Sequence, residues 1–420
     1  TLKLHDVNQT SFQSALDNVR NLVGSPLAGI DDQEMVDTRP ITNALNDLIS
    51  LDKETGKRGN PVYGNLPRKF NIAVSGSRDD FAHTHINDIG LQPCANAETG
   101  EMGFNVVLGG YMSTKRVAES VDMDMWIPAT VDAAICLSEA ILRIFRDEGS
   151  RNNRQKARLM WLVEEKGVET FKAEVVAEMD SYKRKGIPTH YPSQKQSTEP
   201  FERRDLLGVH AQPTEGLFRV GVHVPAGRIS VDEARAIASL ADSYSDGEIR
   251  LTVEQNVILP NVKAEKLDAL LAEPALNNDS RLGVQPGNII GNMVSCTGAQ
   301  FCPLGLIETK APAERIMKKV DARVEVPKQL RIHWTGCPNS CGQAQAADIG
   351  IMGGPAKKLN PETGKMVAVP GCQIFVGGTI GESGHLSLEP YKKGIPIEDE
   401  ILVEELVEII VSQFNGKLKH

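Results

Sequence analysis

Residues 66–91, LPRKFNIAVSGSRDDFAHTHINDIGL, align without a gap on residues 326–351, VPKQLRIHWTGCPNSCGQAQAADIGI. Pro67, Ile72, Gly76, Asp88, Ile89 and Gly90 recur as Pro327, Ile332, Gly336, Asp348, Ile349 and Gly350. A second match follows each copy, Val107-Leu108-Gly109-Gly110 against Phe375-Val376-Gly377-Gly378. A weaker one precedes each, Asn18…Gly24…Pro26-Leu27 against Asn292…Gly298…Pro303-Leu304. Three matches in one order argue for duplication rather than two unrelated strand–loop–helix motifs. They predict two homologous domains, residues 1–190 and 275–420.

The stretch 209–268 reads strand–helix–strand and is expected to form a small unit of its own, within 205–270. A full duplication would place an equivalent unit ahead of residue 1, so a further N-terminal part is expected in the natural chain. Helical spacing of apolar residues predicts helices at 132–147, 155–165, 170–184, 231–244 and 399–414. Strands are expected at 69–75, 104–108, 217–223, 248–253, 329–335 and 373–376. The alternation makes the fold class α/β (α+β), two homologous mixed α/β domains plus a small central unit. The polar stretch 185–202 reads as a linker.

With 40% hydrophobic and 24% charged residues, the composition is that of a soluble globular protein. A net charge of -9 argues against nucleic acid as partner, while leaving room for a local basic surface or pocket. No run of about 18 apolar residues marks a membrane span. The first residues lack a signal-peptide pattern. Seven cysteines is an odd count in a chain too large to need disulfide staples. A reducing compartment, and metal before disulfide, is the expectation for clustered cysteines.

Four of the seven form Cys296-x5-Cys302 and Cys337-x3-Cys341. An iron–sulfur cluster needs four converging thiolates, and two loops with two each supply them. Gly298, Gly336 and Gly342 let backbone pass close to a bulky inorganic core, and Pro338 stiffens the second loop. The competing reading is a structural zinc site in a non-enzymatic binding protein, although zinc pairs usually have two to four residues between ligands. Cys94, Cys136 and Cys372 are scattered and take no role; Cys136 falls on an apolar helix stripe. In the first copy the cysteine loop holds Ser77 and Phe81 instead. That copy offers cations: Lys69 and Asn71 on one strand face, Arg68 on the other, and Arg20 on the loop expected to match the Cys296 loop. Two such domains facing across a pseudo-twofold axis would hold an anionic cofactor or substrate by charge-assisted hydrogen bonds.

Gly336-Cys337-Pro338-Asn339-Ser340-Cys341-Gly342 with Cys296-x5-Cys302 resembles the signature of the sirohaem nitrite and sulfite reductases. Asp17-Asn18-Val19-Arg20-Asn21, Leu66-Pro67-Arg68-Lys69, His85-Ile86-Asn87-Asp88 and Arg250-Leu251-Thr252-Val253-Glu254-Gln255-Asn256 are similar to the same family. The resemblance implies a [4Fe–4S] cluster coupled to sirohaem through a shared thiolate, Cys341. It implies Arg20 and Lys69 in the substrate pocket, Arg68 on the sirohaem, and Gln255, Asn256 and Asn339 as further sirohaem contacts. Sulfite reductases usually carry a second lysine where Asn71 stands, so the resemblance favours the ferredoxin-dependent nitrite reductases; a ferredoxin-dependent sulfite reductase is the alternative. It further implies a ferredoxin-like central unit, six-electron reduction of nitrite to ammonium with reduced ferredoxin as donor, a monomer, and a plastid stroma or cyanobacterial cytoplasm. The family carries an additional N-terminal segment that supplies another pocket arginine. Ferredoxin is acidic, so Lys310, Arg315, Lys318, Lys319 and Arg323 are a candidate docking patch, or else an ordinary helix face.

Overall fold

The computed structural model describes residues 17–181, 190–197, 199–277, 280–382 and 384–419. The chain divides into two compact units. The first comprises residues up to Tyr111 and Val117–Arg203; the second comprises Met112–Arg116 and Arg204–His420.

In the first unit, β1 (Val19–Val23), β2 (Phe70–Val74), β3 (Ile89–Ala95), β4 (Met102–Leu108) and β5 (Val121–Pro128) form one sheet in chain order. β1, β2 and β3 run parallel, and β4 and β5 continue antiparallel. The period-2 pattern of β2 sends Phe70, Ile72 and Val74 into one buried cluster with Leu45, Leu137, Ile141, Phe171 and Val175. Those last residues come from α1 (Arg39–Ser50), α2 (Val131–Glu148) and α4 (Val168–Ser181), with α3 (Leu159–Lys166) beside them. Phe70 and Phe145 meet at 5.4 Å between ring centroids. Each such side chain contributes about 1.5–3 kcal/mol by leaving water. Thr130 caps α2, accepting the Ala133 amide at 3.3 Å.

The second unit holds two sheets and a ribbon. β6 (Gly208–Ala211), β7 (Leu217–Val222), β8 (Arg250–Leu251) and β9 (Val257–Lys263) form an antiparallel sheet in the order β6-β7-β9-β8, covered by α5 (Val231–Tyr244) and α6 (Ala264–Leu271). A capping box between Ser230 and Glu233 starts α5. β10 (Asn292–Ser295), β12 (Arg331–Thr335), β13 (Ile349–Leu359), β14 (Met366–Val376) and β15 (Lys392–Pro396) make the second five-stranded sheet, packed on α7 (Lys310–Asp321) and α8 (Asp399–Gln413). β11 (Val324–Glu325) pairs with β16 (Lys417–Leu418).

The two five-stranded sheets repeat each other at residue level. Ile72 pairs with Ile89 as Ile332 pairs with Ile349, and Ile89 with Leu108 as Ile349 with Val376. The turn after the second strand takes positive φ at Asp80 and His83 in one copy, and at Ser340 and Gln343 in the other.

The upstream match needs correction. Asn21, not Asn18, stands opposite Asn71 as Asn292 stands opposite Arg331. Met35 and Val36 both donate to the Gly76 carbonyl, as Leu306 and Ile307 do to Gly336, and α1 matches α7 in length. The first-copy counterpart of Cys296 is therefore Ser25, and Arg20 lies on β1 rather than on that loop.

Residues 190–197 are not a free linker. Tyr191 bridges to Trp126 at the β5 edge, and Gln194 exchanges two backbone hydrogen bonds with the Asn105 side chain, at 2.8 and 2.7 Å. The helix expected at 155–165 begins only at Leu159, after a 3-10 turn at Arg154–Lys156. Of the strand expected at 248–253 only Arg250–Leu251 pairs. The helix expected over 170–184 runs to Ser181, and its last predicted residues lie outside those described. Among the described residues no helix is long and apolar enough to cross a membrane.

Candidate functional site

β10 and β12 are parallel neighbours, with Ser295 opposite Trp334. Both end at the same sheet edge, so the next residues, Cys296 and Gly336-Cys337, emerge side by side. The Cys296 amide donates to the Trp334 carbonyl at 3.0 Å. The Gly336 amide donates to Cys296 Sγ at 3.1 Å, and Asn339 Nδ2 to Cys337 Sγ at 3.5 Å. Asn339 also meets the Thr114 hydroxyl through its Oδ1. The Thr309 hydroxyl donates to the Cys296 carbonyl at 2.7 Å. Gly342 closes the second loop so tightly that a Cβ there would lie 2.2 Å from the Trp334 carbonyl oxygen.

Gln255 pins the strand that leads into this loop. Its Nε2 donates to the Ser295 carbonyl and its Oε1 accepts the Ser295 amide, both at 2.9 Å. Asn256 is buried and accepts the Val224 amide at 2.9 Å through Oδ1. Gln255 is thus engaged with backbone one step behind Cys296, while Asn256 ties Val224 to Gly291, just ahead of β10.

None of the seven cysteines, all of them among the described residues, forms a disulfide. Cys337 is buried, Cys296 and Cys302 are half-buried, and Cys341 is exposed. Among the described residues no three His, Cys, Asp or Glu side chains converge on the scale of a single metal ion. Four thiolates on two abutting loops, with N–H groups aimed at two of the sulfurs, suit the cluster. The exposed Cys341 suits a thiolate that must reach a second group.

The first unit carries the cations. Val19 pairs with Phe70 and Asn21 with Asn71, so Arg20 is the extra residue of a β-bulge, a device that re-aims a side chain. The second copy has continuous pairing there. Asp17 accepts Arg68 Nη1 at 3.0 Å and Arg154 Nη1 at 2.5 Å. Burial opposes ionisation of Asp17, but the bonds from Arg154 and Arg68 outweigh it and hold its carboxyl below the ordinary range. Asp88, wholly buried, accepts the Asn71 amide at 2.8 Å and Arg158 through Nη2 at 2.5 Å and Nε at 3.2 Å. Burial raises the Asp88 pKa against the pull of Arg158 and of Lys69. Arg158 also lies 4.7 Å from the Tyr111 ring centre. Burial depresses the Arg20 pKa, and Arg68, Arg158 and Arg154 push it the same way. Arg20, Arg68, Lys69, Arg154 and Arg158 therefore crowd positive charge around two carboxylates. That surplus fits a polycarboxylate such as sirohaem, or a small oxyanion. Arg154 and Arg158 escaped the sequence reading, although the basic run 151–158, RNNRQKAR, held the signal.

The candidate docking patch is largely spent within the second unit. Arg315 donates to Asp399 at 2.7 and 2.8 Å, Lys319 reaches Asp399 and Glu400 at 3.1 and 3.0 Å, and Arg323 pairs with Glu404. These bonds clamp α7 to the acidic start of α8. Lys318 alone of the patch's α7 residues is exposed without joining that clamp.

Residues 15–183 and 287–419 match the nitrite and sulphite reductase 4Fe-4S domain, and residues 210–277 match the nitrite/sulfite reductase ferredoxin-like half domain. The chain belongs to the nitrite and sulphite reductase family. It is 47% identical over 413 residues to the chloroplastic ferredoxin–nitrite reductase of Zea mays, covering 98% of this chain and 69% of that one. The ferredoxin–nitrite reductase of Synechococcus elongatus is 45% identical over 417 residues, covering 99% and 76%. The solved structure of Mycobacterium tuberculosis NirA protein superposes with a TM-score of 0.74 at 28% identity, over 94% of this chain and 66% of that one. This member of the family thus spans about two-thirds of the length of several relatives, such as the 67% of the Arabidopsis thaliana enzyme. The ferredoxin-like half domain is the sheet β6-β7-β9-β8 with its two helices.

Proposed function

We propose that this chain reduces nitrite to ammonium with electrons from reduced ferredoxin, using a [4Fe–4S] cluster on Cys296, Cys302, Cys337 and Cys341 and a sirohaem that shares Cys341. The observation that carries the reading is the pair of abutting cysteine loops with the Gly336 amide aimed at Cys296 Sγ. The names of the plant and cyanobacterial relatives supply the substrate and the donor. Those names also favour a plastid stroma or a cyanobacterial cytoplasm.

Nitrogen passes from +3 to −3, six electrons that no side chain can store; cluster and sirohaem supply that redox chemistry when bound. The chain's own residues bind, orient and protonate. Lys69 and Arg20 donate hydrogen bonds to the nitrite oxygens and offset negative charge as it builds. Lys69 is the proton donor of the two, because arginine holds its proton at any working pH. Asp88 keeps β2, which begins directly after Lys69, in place through the Asn71 amide. Asn71, neutral where a second lysine would suit a doubly charged anion, favours singly charged nitrite over sulfite. Arg68 and Arg154 hold sirohaem carboxylates, while Arg158 stays buried against Asp88. Gln255 serves by fixing the backbone directly behind Cys296, Asn256 by tying Val224 to Gly291 ahead of β10, and Asn339 by donating to Cys337 Sγ.

The test is Lys69→Ala. Nitrite turnover should fall by at least about 100-fold, the usual scale for a lost general acid, with the visible spectrum kept. Unchanged turnover would remove Lys69 from the site. Turnover on sulfite exceeding that on nitrite in the unaltered protein would replace nitrite by sulfite as substrate.

A further inference from the structure

α7 opens on a cation. Lys310 is its first residue, a position where the helix dipole disfavours positive charge. Its ammonium does not escape to solvent. It donates to the Ala226 carbonyl and, at 3.3 Å, to the carbonyl of Ser295, the residue immediately before Cys296. Thr309, next to it, holds the Cys296 carbonyl with its hydroxyl, which lies 3.9 Å from Cys296 Sγ. The duplicated copy, which has serine in place of Cys296, supplies the control. There the matching first helical residue is Arg39, and it turns outward into an exposed ion pair with Asp37 at 2.6 Å. Only in the cysteine-bearing copy is the cation turned inward.

We propose that Lys310 sets the reduction potential of the cluster by holding a fixed positive charge beside the Cys296 thiolate. This rests on the reading of the four cysteines as cluster ligands. A one-electron reduction adds negative charge to the cluster, and a nearby cation stabilises the reduced form more than the oxidised one. The Gly336 amide acts in the same sense at the same sulfur, at 3.1 Å. Burial lowers the Lys310 pKa, and Cys296 pulls it back up, as expected of neighbouring opposite charges. Lys310 is a positioning and tuning residue; it donates to backbone and need not touch substrate.

The experiment is a redox titration of the purified protein, followed by the electron paramagnetic resonance signal of the reduced cluster. Lys310→Gln keeps a hydrogen-bond donor for the two carbonyls but removes the charge, and Lys310→Arg restores the charge. At a fixed potential the reduced-to-oxidised ratio should fall about tenfold in Lys310→Gln, a downward shift of ~59 mV for a one-electron couple, and return towards the unaltered value in Lys310→Arg. Equal midpoints in all three proteins would overturn the proposal. So would loss of cluster iron in both variants, which would make Lys310 a structural residue. No reducible cluster signal in the unaltered protein would overturn the cluster reading itself, and this inference with it.

Discussion

Asp88→Ala tests the scaffold under the cationic site. The carboxylate is wholly buried and serves two groups, the Arg158 guanidinium at 2.5 and 3.2 Å and the Asn71 amide at 2.8 Å. Removing one partner of a buried ion pair costs about 3–5 kcal/mol, because the other charge stays buried. The orphaned amide adds about 1–3 kcal/mol. The sum, roughly 4–8 kcal/mol, is comparable to the whole stability of a domain. Asp348 provides the comparison within the same chain. It accepts the Arg331 amide at 2.7 Å, but its ion pair is long at 3.8 Å and partly exposed. Asp348→Ala should therefore cost less, roughly 1–4 kcal/mol, from about 1–3 for the orphaned amide and about 0–1 for the partly exposed pair. Urea unfolding would give the overall cost, and hydrogen exchange at residues 70–74 and 331–335 would assign it to a copy. An Asp88→Ala cost no larger than that of Asp348→Ala would refute the reasoning.

Further outcomes follow from other particular contacts. Gly342→Ala would set a Cβ 2.2 Å from the Trp334 carbonyl, and should abolish iron binding measured per chain while far-ultraviolet circular dichroism changes little. The buried His223 has its pKa lowered to about 4 by burial, with Arg281 adding to it. The unfolded chain binds that proton first, so stability should fall as pH drops from about 6.5 to 4, by at most about 3 kcal/mol, and His223→Gln should flatten that slope in urea titrations. Asp399, held at about 2 by its bonds to Arg315 and Lys319, stabilises the α7–α8 clamp above its ordinary 3.8. That contribution should be lost as pH falls from 3.8 towards 2, and Asp399→Asn should remove the dependence from hydrogen exchange in α8.

The duplication was legible because each copy must repeat the same tight geometry. Gly90 and Gly350 each face a carbonyl of the preceding turn, of Thr84 and Ala344, and Asp88 and Asp348 each accept a strand amide. Such positions tolerate little change, so the residues recur. The upstream register slipped by three residues because Asn18 and Asn21 each offer an asparagine to match Asn292, and only the pairing of β1 with β2 picks out Asn21. The cysteines were legible as a set because two short spacers name two loops. What brings those loops together, the pairing of β10 with β12, joins residues far apart in sequence and leaves no local mark. Arg158 was missed for the same reason, since its partner Asp88 lies 70 positions away. α1 is missing from the expected helices although RPITNALNDLIS places Ile41, Leu45, Leu48 and Ile49 at i, i+4, i+7 and i+8, the spacing of a buried helix face. The basic run on α7 pointed to a partner surface, yet the acids that neutralise it come from α8, 80 and 81 positions on.

The central claim is that the four cysteines hold an iron–sulfur cluster working with a sirohaem on nitrite. The most direct measurement is the visible and electron paramagnetic resonance spectrum of the purified protein, with iron and zinc analysis, before and after adding nitrite. The account requires haem bands that shift with nitrite and iron in excess of the cluster's four. A colourless protein holding zinc, or haem bands indifferent to nitrite, would contradict it.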